Sequence, residues 1–215
     1  MELERDLSAV GEPKQGGRHP LPVLQAWCQT LGRLGVGPQT TVQVFDSAGG
    51  GLYAARVWWM LKAVGHAQVD VITVDQLEQE WVSERAHAAP LPPYPASSWA
   101  LSTCSIDQVR LRANDPSWRL LDARSGVRFR GEQEPLDPVA GHIPGALSMP
   151  WEAHTDLGQA KVRFEQVLGG VSSTRSIVSC GSGVTACFLA LQMHRLGLGI
   201  PTLYVGSWSE WCRQS

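Results

Sequence analysis

The chain has 215 residues, a formal charge of −2 and a pI near 6.3, so it has no basic field with which to hold a nucleic-acid backbone. Its 43% hydrophobic content supports a packed core, and its 18% charged content excludes a chain-wide disordered polyelectrolyte. No apolar run reaches the ~20 residues of a bilayer span, and MELERDLSAVGEPK lacks the order of a signal peptide, so the expected setting is cytoplasmic, off the membrane.

In chain order, the first organised stretch is Leu34-Gly35, Thr40 and Val44-Phe45-Asp46: a glycine turn, a β-branched run, then the small-residue loop SAGGG. A helix is predicted to follow and to end near Gly65, with a short strand over Val69–Val74 and a Glu80-Trp81 pair beyond it. The segment Ala88–Ser98 holds four prolines in eleven residues; it cannot run as a helix or central strand and reads as a semi-rigid linker. After it come a strand at Leu120–Arg124 and a turn at Gly141–Gly145. Then the earlier order recurs: Leu168-Gly169, Thr174, Val178-Ser179-Cys180, the loop GSGVT, a helix to Gly197, a strand over Pro201–Val205 and Glu210-Trp211. Two such units predict an α/β fold, a central parallel sheet flanked by helices in two copies. The expected division is residues 1–87, a linker at 88–98, and residues 99–215. The first copy shows no counterpart of Leu120–Arg124 or Gly141–Gly145. It is expected to be truncated at its N-terminus, with an exposed sheet edge and reduced stability.

Five cysteines (Cys28, Cys104, Cys180, Cys187, Cys212), odd in number and without a C-x-x-C, fit neither a disulfide framework nor a zinc site. The ordinary reading of each is a small buried hydrophobe. Cys180 stands apart because a β run delivers it to the carboxyl end of a strand, where open α/β sheets place their ligands. Small residues after it let several N–H groups aim at one point, and the following helix adds the positive end of its dipole. Such surroundings favour the thiolate, the nucleophilic form of a cysteine, and would equally bind a small anion. The same pattern also fits a Gly-rich turn around an inert cysteine. Cysteine phosphatases share the arrangement but need an arginine six residues on, where this chain has Ala186. In the first copy Asp46 takes the place of Cys180; a carboxylate there can cap the loop but cannot carry sulfur.

These residues resemble the tandem-domain sulfurtransferases of the rhodanese family, which act on thiosulfate or 3-mercaptopyruvate. The resemblance rests on Cys180–Ala186, Leu121–Arg124, Arg128–Gly131, Gly141–Gly145 and Gly206–Trp211. More weakly, it includes Gly17–Pro22 and Asp46–Leu61, which match the later part of the family's inactive first domain. It implies that Cys180 takes sulfur from a small anionic donor as a persulfide and passes it to cyanide or a thiol, such as thioredoxin or glutathione, with no cofactor and no metal. It also implies that Ser182 relays a proton, that Arg128 binds the donor's anionic group, and that Gly181, Gly183, Val184 and Thr185 form the amide cradle. Arg128 could instead be an ion-pair partner of Glu132 or Glu134. Glu4 and His19 are the nearest counterparts of an acid and an imidazole that the family's first domain contributes. Asp122 and Arg124 read as a structural salt bridge, His142 as a turn-stabilising hydrogen bonder, Cys187 as packing, and Trp58 and Trp59 as core. A second arginine often follows in mercaptopyruvate enzymes, but Glu134–Asp137 contains none, which favours thiosulfate. The competing expectation is a non-catalytic sulfur carrier or interaction module with a defective first domain.

Overall fold

The computed structural model describes residues 1–9, 11–76 and 88–214, which form two compact units. Unit 1 comprises Met1–Ala9 and Leu21–Leu101; unit 2 comprises Val10–Pro20 and Ser102–Ser215. Residues 10–20, expected with the first domain, thus belong with the second unit. The Glu80-Trp81 pair lies outside the described residues.

In unit 1, α1 (Leu3–Asp6) and α2 (Leu24–Arg33) precede β1 (Val42–Val44), α3 (Ala54–Ala63) and β2 (Val69–Val71). The strands pair in parallel with Val42 opposite Val69, and α3 is the crossover between them. α3 is buried along its length except at Lys62, with Trp58 and Trp59 at 1% and 0% exposure, as expected of core residues, and Arg56 buried among them. Gly65, at φ 80°, follows its end in the left-handed conformation that an L side chain resists. The proline-rich segment is neither helix nor strand. It lies along α2, where the Leu91 and Tyr94 amides donate to the Gly32 and Cys28 carbonyls, and Tyr94 is buried. A Cβ on Gly32 would sit 2.5 Å from the Pro92 carbonyl oxygen, so only glycine permits this approach.

Unit 2 contains α4 (Ile106–Arg112), β3 (Arg119–Asp122), α5 (Gly126–Phe129), β4 (Ala146–Ser148), α6 (Leu157–Leu168), β5 (Ser176–Ser179), α7 (Ala186–Arg195), β6 (Thr202–Leu203) and α8 (Ser207–Trp211). A reciprocal capping box starts α4: Ser105 accepts from the Gln108 amide and Gln108 accepts from the Ser105 amide. Asp156 caps α6, and Gly169 at φ 54° ends it. The sheet order is β4-β3-β5-β6, all parallel. β3 and β5 are central, and Leu120, Leu121, Ile177 and Val178 are at most 2% exposed, as strands covered on both faces must be. The core beneath α4 joins Val109, Leu120, Ile143, Ile177, Tyr204 and Trp208.

The chain runs from β3 outward to β4, then returns past β3 to place β5 on its other side. The carboxyl ends of β3 and β5 therefore flank a topological switch point, the position at which an open parallel sheet leaves a crevice.

Candidate active site

Cys180 follows β5 directly, at the strand end that borders that crevice, and is 2% exposed. The loop after it curls back so that the Gly183 amide donates to Cys180 Sγ at 3.1 Å. This curl needs Gly183 at φ 76°, where a Cβ would lie 2.5 Å from the Val205 carbonyl oxygen. Gly181, Ser182, Gly183 and Val184 are buried and Thr185 is partly so, immediately ahead of α7. Of the cradle expected of these residues, the Gly183 amide is bonded to the sulfur.

The turn from Gly206 into α8 braces the loop. The Cys180 amide donates to Ser207 Oγ at 3.0 Å, and Ser207 donates in turn to the Tyr204 carbonyl at 2.8 Å. The Trp208 and Ser209 amides donate to the carbonyls of Cys180 and Gly181. Ser207 sits at φ 52°, a left-handed conformation that costs a non-glycine residue about 1 kcal/mol or more and is held here by both of its hydrogen bonds.

The segment Val10–Pro20 is pinned to the same turn. The Gly16 amide donates to Glu210 Oε1 at 2.8 Å and the Arg18 amide to Ser209 Oγ at 3.0 Å. Gly17, at φ 80°, packs so tightly on the Gly206 carbonyl that no side chain could be accommodated. This delivers His19, whose Nδ1 lies 2.7 Å from Ser182 Oγ; the tautomer sets which atom donates. Glu4 lies on α1 of unit 1 and is exposed.

The acids that unit 2 itself places near the loop are Glu134 and Asp137. Glu134 accepts from Arg128 Nη2 at 2.6 Å and from Arg124 Nη1 at 3.3 Å. Arg128 is therefore anchored by an ion pair along one edge while its Nη1 faces Gly181. Of the two readings left open by sequence, the ion pair with Glu134 is the one the contacts show. Arg124 forks onto Asp122, donates to the Gly141 carbonyl and lies 4.9 Å from the Trp208 ring centroid, which makes the Asp122–Arg124 pair a buried strut at the end of β3. Asp137 pairs with Arg18 and, at 2.8 Å, with Arg213. Burial works against its charge, but the two guanidiniums outweigh burial and hold its carboxyl below the usual range.

His142 Nδ1 lies 2.7 Å from the Phe129 carbonyl oxygen and its ring stacks on Phe129 at 4.0 Å, the turn-stabilising position expected of it. Burial pushes the Cys104 thiol up to about 12 and raises Cys212 as well, which disfavours both as nucleophiles at neutral pH. Cys187 is buried in α7, its thiol donating to the Gly183 carbonyl. Asp46, at the end of β1, accepts from the amides of Ala48, Gly50, Leu52, Tyr53 and Ala54. Its surroundings are a nest filled by its own carboxylate. Burial opposes that charge, yet the amides lower its pKa below the ordinary value.

Sequence reasoning passed over Arg18. The only local sign was its place beside His19 in Gly17–Pro22; what gives it a role is proximity to Asp137 and Gly181, which no local pattern encodes.

Among the described residues, no helix is long and apolar enough to cross a membrane, and no group of three or more His, Cys, Asp or Glu is placed to hold a metal ion.

The family model described as a rhodanese-like domain matches residues 105–214. A probable 3-mercaptopyruvate sulfurtransferase of Pseudomonas aeruginosa is 38% identical over 98% of this chain and 78% of its own length. The mitochondrial thiosulfate/3-mercaptopyruvate sulfurtransferase 1 of Arabidopsis thaliana is 32% identical, covering 97% of this chain and 64% of its own length. The solved structure of 3-mercaptopyruvate sulfurtransferase from Leishmania major superposes with a TM-score of 0.80 at 28% identity, over 97% of this chain and 61% of that one. This chain thus spans from 61% to 78% of the lengths of these three relatives. With the domain match covering residues 105–214, Cys180 among them, and relatives above 30% identity covering nearly the whole chain, the chain belongs to the rhodanese-like sulfurtransferases.

Proposed function

We propose that this chain transfers sulfur from a small anionic donor, 3-mercaptopyruvate or thiosulfate, to cyanide or a thiol by way of a persulfide on Cys180. The observation that carries this reading is the Cys180 loop: a cysteine after a central parallel strand, its sulfur accepting a backbone N–H, with two guanidiniums beside the next residue. The names of the relatives support the same donor pair.

The Cys180 thiolate attacks the donor's outer sulfur. With thiosulfate the S–S bond breaks and sulfite leaves with the electron pair. With 3-mercaptopyruvate the C–S bond breaks and the enolate of pyruvate takes the pair, then a proton. The His19–Ser182 pair is the group positioned to hold and pass that proton. The Gly183 N–H stabilises negative charge on the sulfur. An acceptor thiolate or cyanide then attacks the outer sulfur and restores Cys180. Unit 1 is read as a non-catalytic copy of the same domain, with Asp46 occupying its own nest.

The test is thiocyanate formation from each donor with cyanide, for the protein and for Cys180→Ser, with intact mass followed after donor alone. Turnover and a one-sulfur mass increase, both lost in Cys180→Ser, are expected. Equal activity in the variant overturns the reading. A mass increase without turnover means a sulfur carrier instead.

A further inference from the structure

Three consecutive residues of one turn hold three consecutive peptide groups of the Cys180 loop. The Cys180 amide donates to Ser207 Oγ at 3.0 Å, and the Trp208 and Ser209 amides donate to the Cys180 and Gly181 carbonyls at 3.0 and 2.9 Å. In a planar trans peptide the C=O and N–H point in opposite directions. Drawing both carbonyls onto α8 therefore turns the Gly181 and Ser182 N–H groups away from α8. At the next peptide, the Gly183 N–H reaches Cys180 Sγ at 3.1 Å.

Ser207 starts this alignment at a conformational cost. At φ 52° it is the one non-glycine among the described residues in the left-handed region. Glycine would adopt that φ freely but has no hydroxyl. The Ser207 hydroxyl has one proton, which goes to the Tyr204 carbonyl at 2.8 Å, leaving a lone pair to accept the Cys180 N–H. Tyr204 is itself registered on β5, its amide donating to the Val178 carbonyl at 3.0 Å, and both Ser207 and Tyr204 are fully buried. One strained residue thus ties the strand before the thiol to the loop after it.

We propose that Ser207 is a positioning residue for Cys180. Its hydroxyl fixes the peptide that carries the thiol. Its left-handed backbone places the Trp208 and Ser209 amides so that the loop's N–H groups are held ready for negative charge on the sulfur. Dipoles held in this way need no reorganisation when the charge forms. This rests on the reading of Cys180 as the sulfur-accepting nucleophile. It also gives the left-handed serine its reason: strain is retained where the loop requires a hydroxyl.

The experiment follows the rate at which iodoacetamide alkylates Cys180 as a function of pH, read by mass on the peptide that carries it. It compares the unaltered chain with Ser207→Gly, Ser207→Thr and Leu168→Ala. Ser207→Gly loses the hydroxyl but relieves the left-handed backbone, so its melting temperature is expected within about 4 °C of the unaltered chain. The midpoint of its alkylation profile is expected to rise by about one pH unit, since the thiolate loses N–H groups held toward it. Ser207→Thr keeps the hydroxyl and should keep the midpoint, although its branched side chain at this φ lowers the melting temperature more. Leu168→Ala, buried at the end of α6 that leads into the start of β5, is expected to lower the melting temperature without moving the midpoint. An unchanged midpoint in Ser207→Gly, or midpoints that follow melting temperature across the variants, overturns the proposal. If Ser207→Thr does not fold, Ser207→Gly against Leu168→Ala decides. In turnover with either donor, Ser207→Gly is expected to lower kcat about tenfold with KM within about threefold; a loss confined to KM sinks the positioning role. Alkylation needs no sulfur donor, so a raised midpoint supports Ser207 even where the unaltered chain forms no thiocyanate.

Discussion

His19 and Ser182 meet with 2.7 Å between Nδ1 and Oγ, across 163 positions of sequence. The contact exists because the segment carrying His19 is tied to the Gly206–Glu210 turn, and that same turn braces the Cys180 loop. One turn thus sets both halves of the arrangement, and several consequences are measurable.

If His19 and Ser182 act as one proton-handling unit, each alanine substitution is expected to lower kcat by about 100-fold, and the double variant should be no worse than the poorer single. Steady-state kinetics of the three variants checks this. Effects that multiply would mean two independent roles.

Gly17→Ala introduces a side chain into the Gly206 carbonyl at a φ of 80°. The expected result is a stability loss of about 1–3 kcal/mol by urea unfolding. Activity should fall by more than stability explains, because Arg18 and His19 shift together. Glu210→Gln, which keeps an acceptor for the Gly16 amide, should retain most activity.

Glu134→Ala leaves Arg124 with Asp122 alone and Arg128 with only its longer contact to Asp137 at 3.8 Å. With Glu134 and Arg124 side chains 3% and 1% exposed, a cost of about 3 kcal/mol is expected in urea unfolding, the scale for breaking a buried pair from one side.

Asp46→Ala deprives five amides of their acceptor. A loss of about 2–3 kcal/mol is expected in the unfolding of unit 1, with persulfide formation on Cys180 unchanged by mass. A change in the persulfide yield would give Asp46 a role beyond its own loop.

Asp6 gives a pH signature. The Arg5 hydrogen bond, opposed by burial and aided by the Glu2 amide and Arg33, lowers its pKa from 3.8 to about 2. Because the folded-state value lies below the unfolded one, its stabilisation is complete above about pH 4 and is lost as pH falls toward 2. Melting temperatures of the protein and of Asp6→Asn should therefore differ at pH 6 and converge near pH 2.

How much of this was readable in advance depended on the range of the interaction. α3 and α7 end before Gly65 and Gly197, and β2 and β6 fall inside Val69–Val74 and Pro201–Val205, because glycine punctuation and β-branched runs act within a few residues. The proline-rich segment showed its lack of helix and strand for the same local reason. That it lies along α2 was not legible, since the bonds from Leu91 and Tyr94 are made to a distant helix. Arg128 illustrates the boundary: its partner Glu134 is close enough in sequence to be proposed, but not the way one guanidinium divides between that acid and Gly181.

By itself, the sequence determined that a cysteine would stand at the carboxyl end of a buried parallel strand before a helix, and that Asp46 would stand at the matching point of the earlier segment. Strand, small-residue loop and helix are contiguous, so their geometry follows from local backbone preferences. Only the tertiary structure decided which charges surround that cysteine. Arg18 and His19 arrive from residues 10–20 through Gly17, Ser209 and Glu210, and Asp137 and Glu134 orient the arginines from behind. Those placements depend on hydrogen bonds and ion pairs across many residues, whose energies exist only once the sheet has closed and water has been excluded around them.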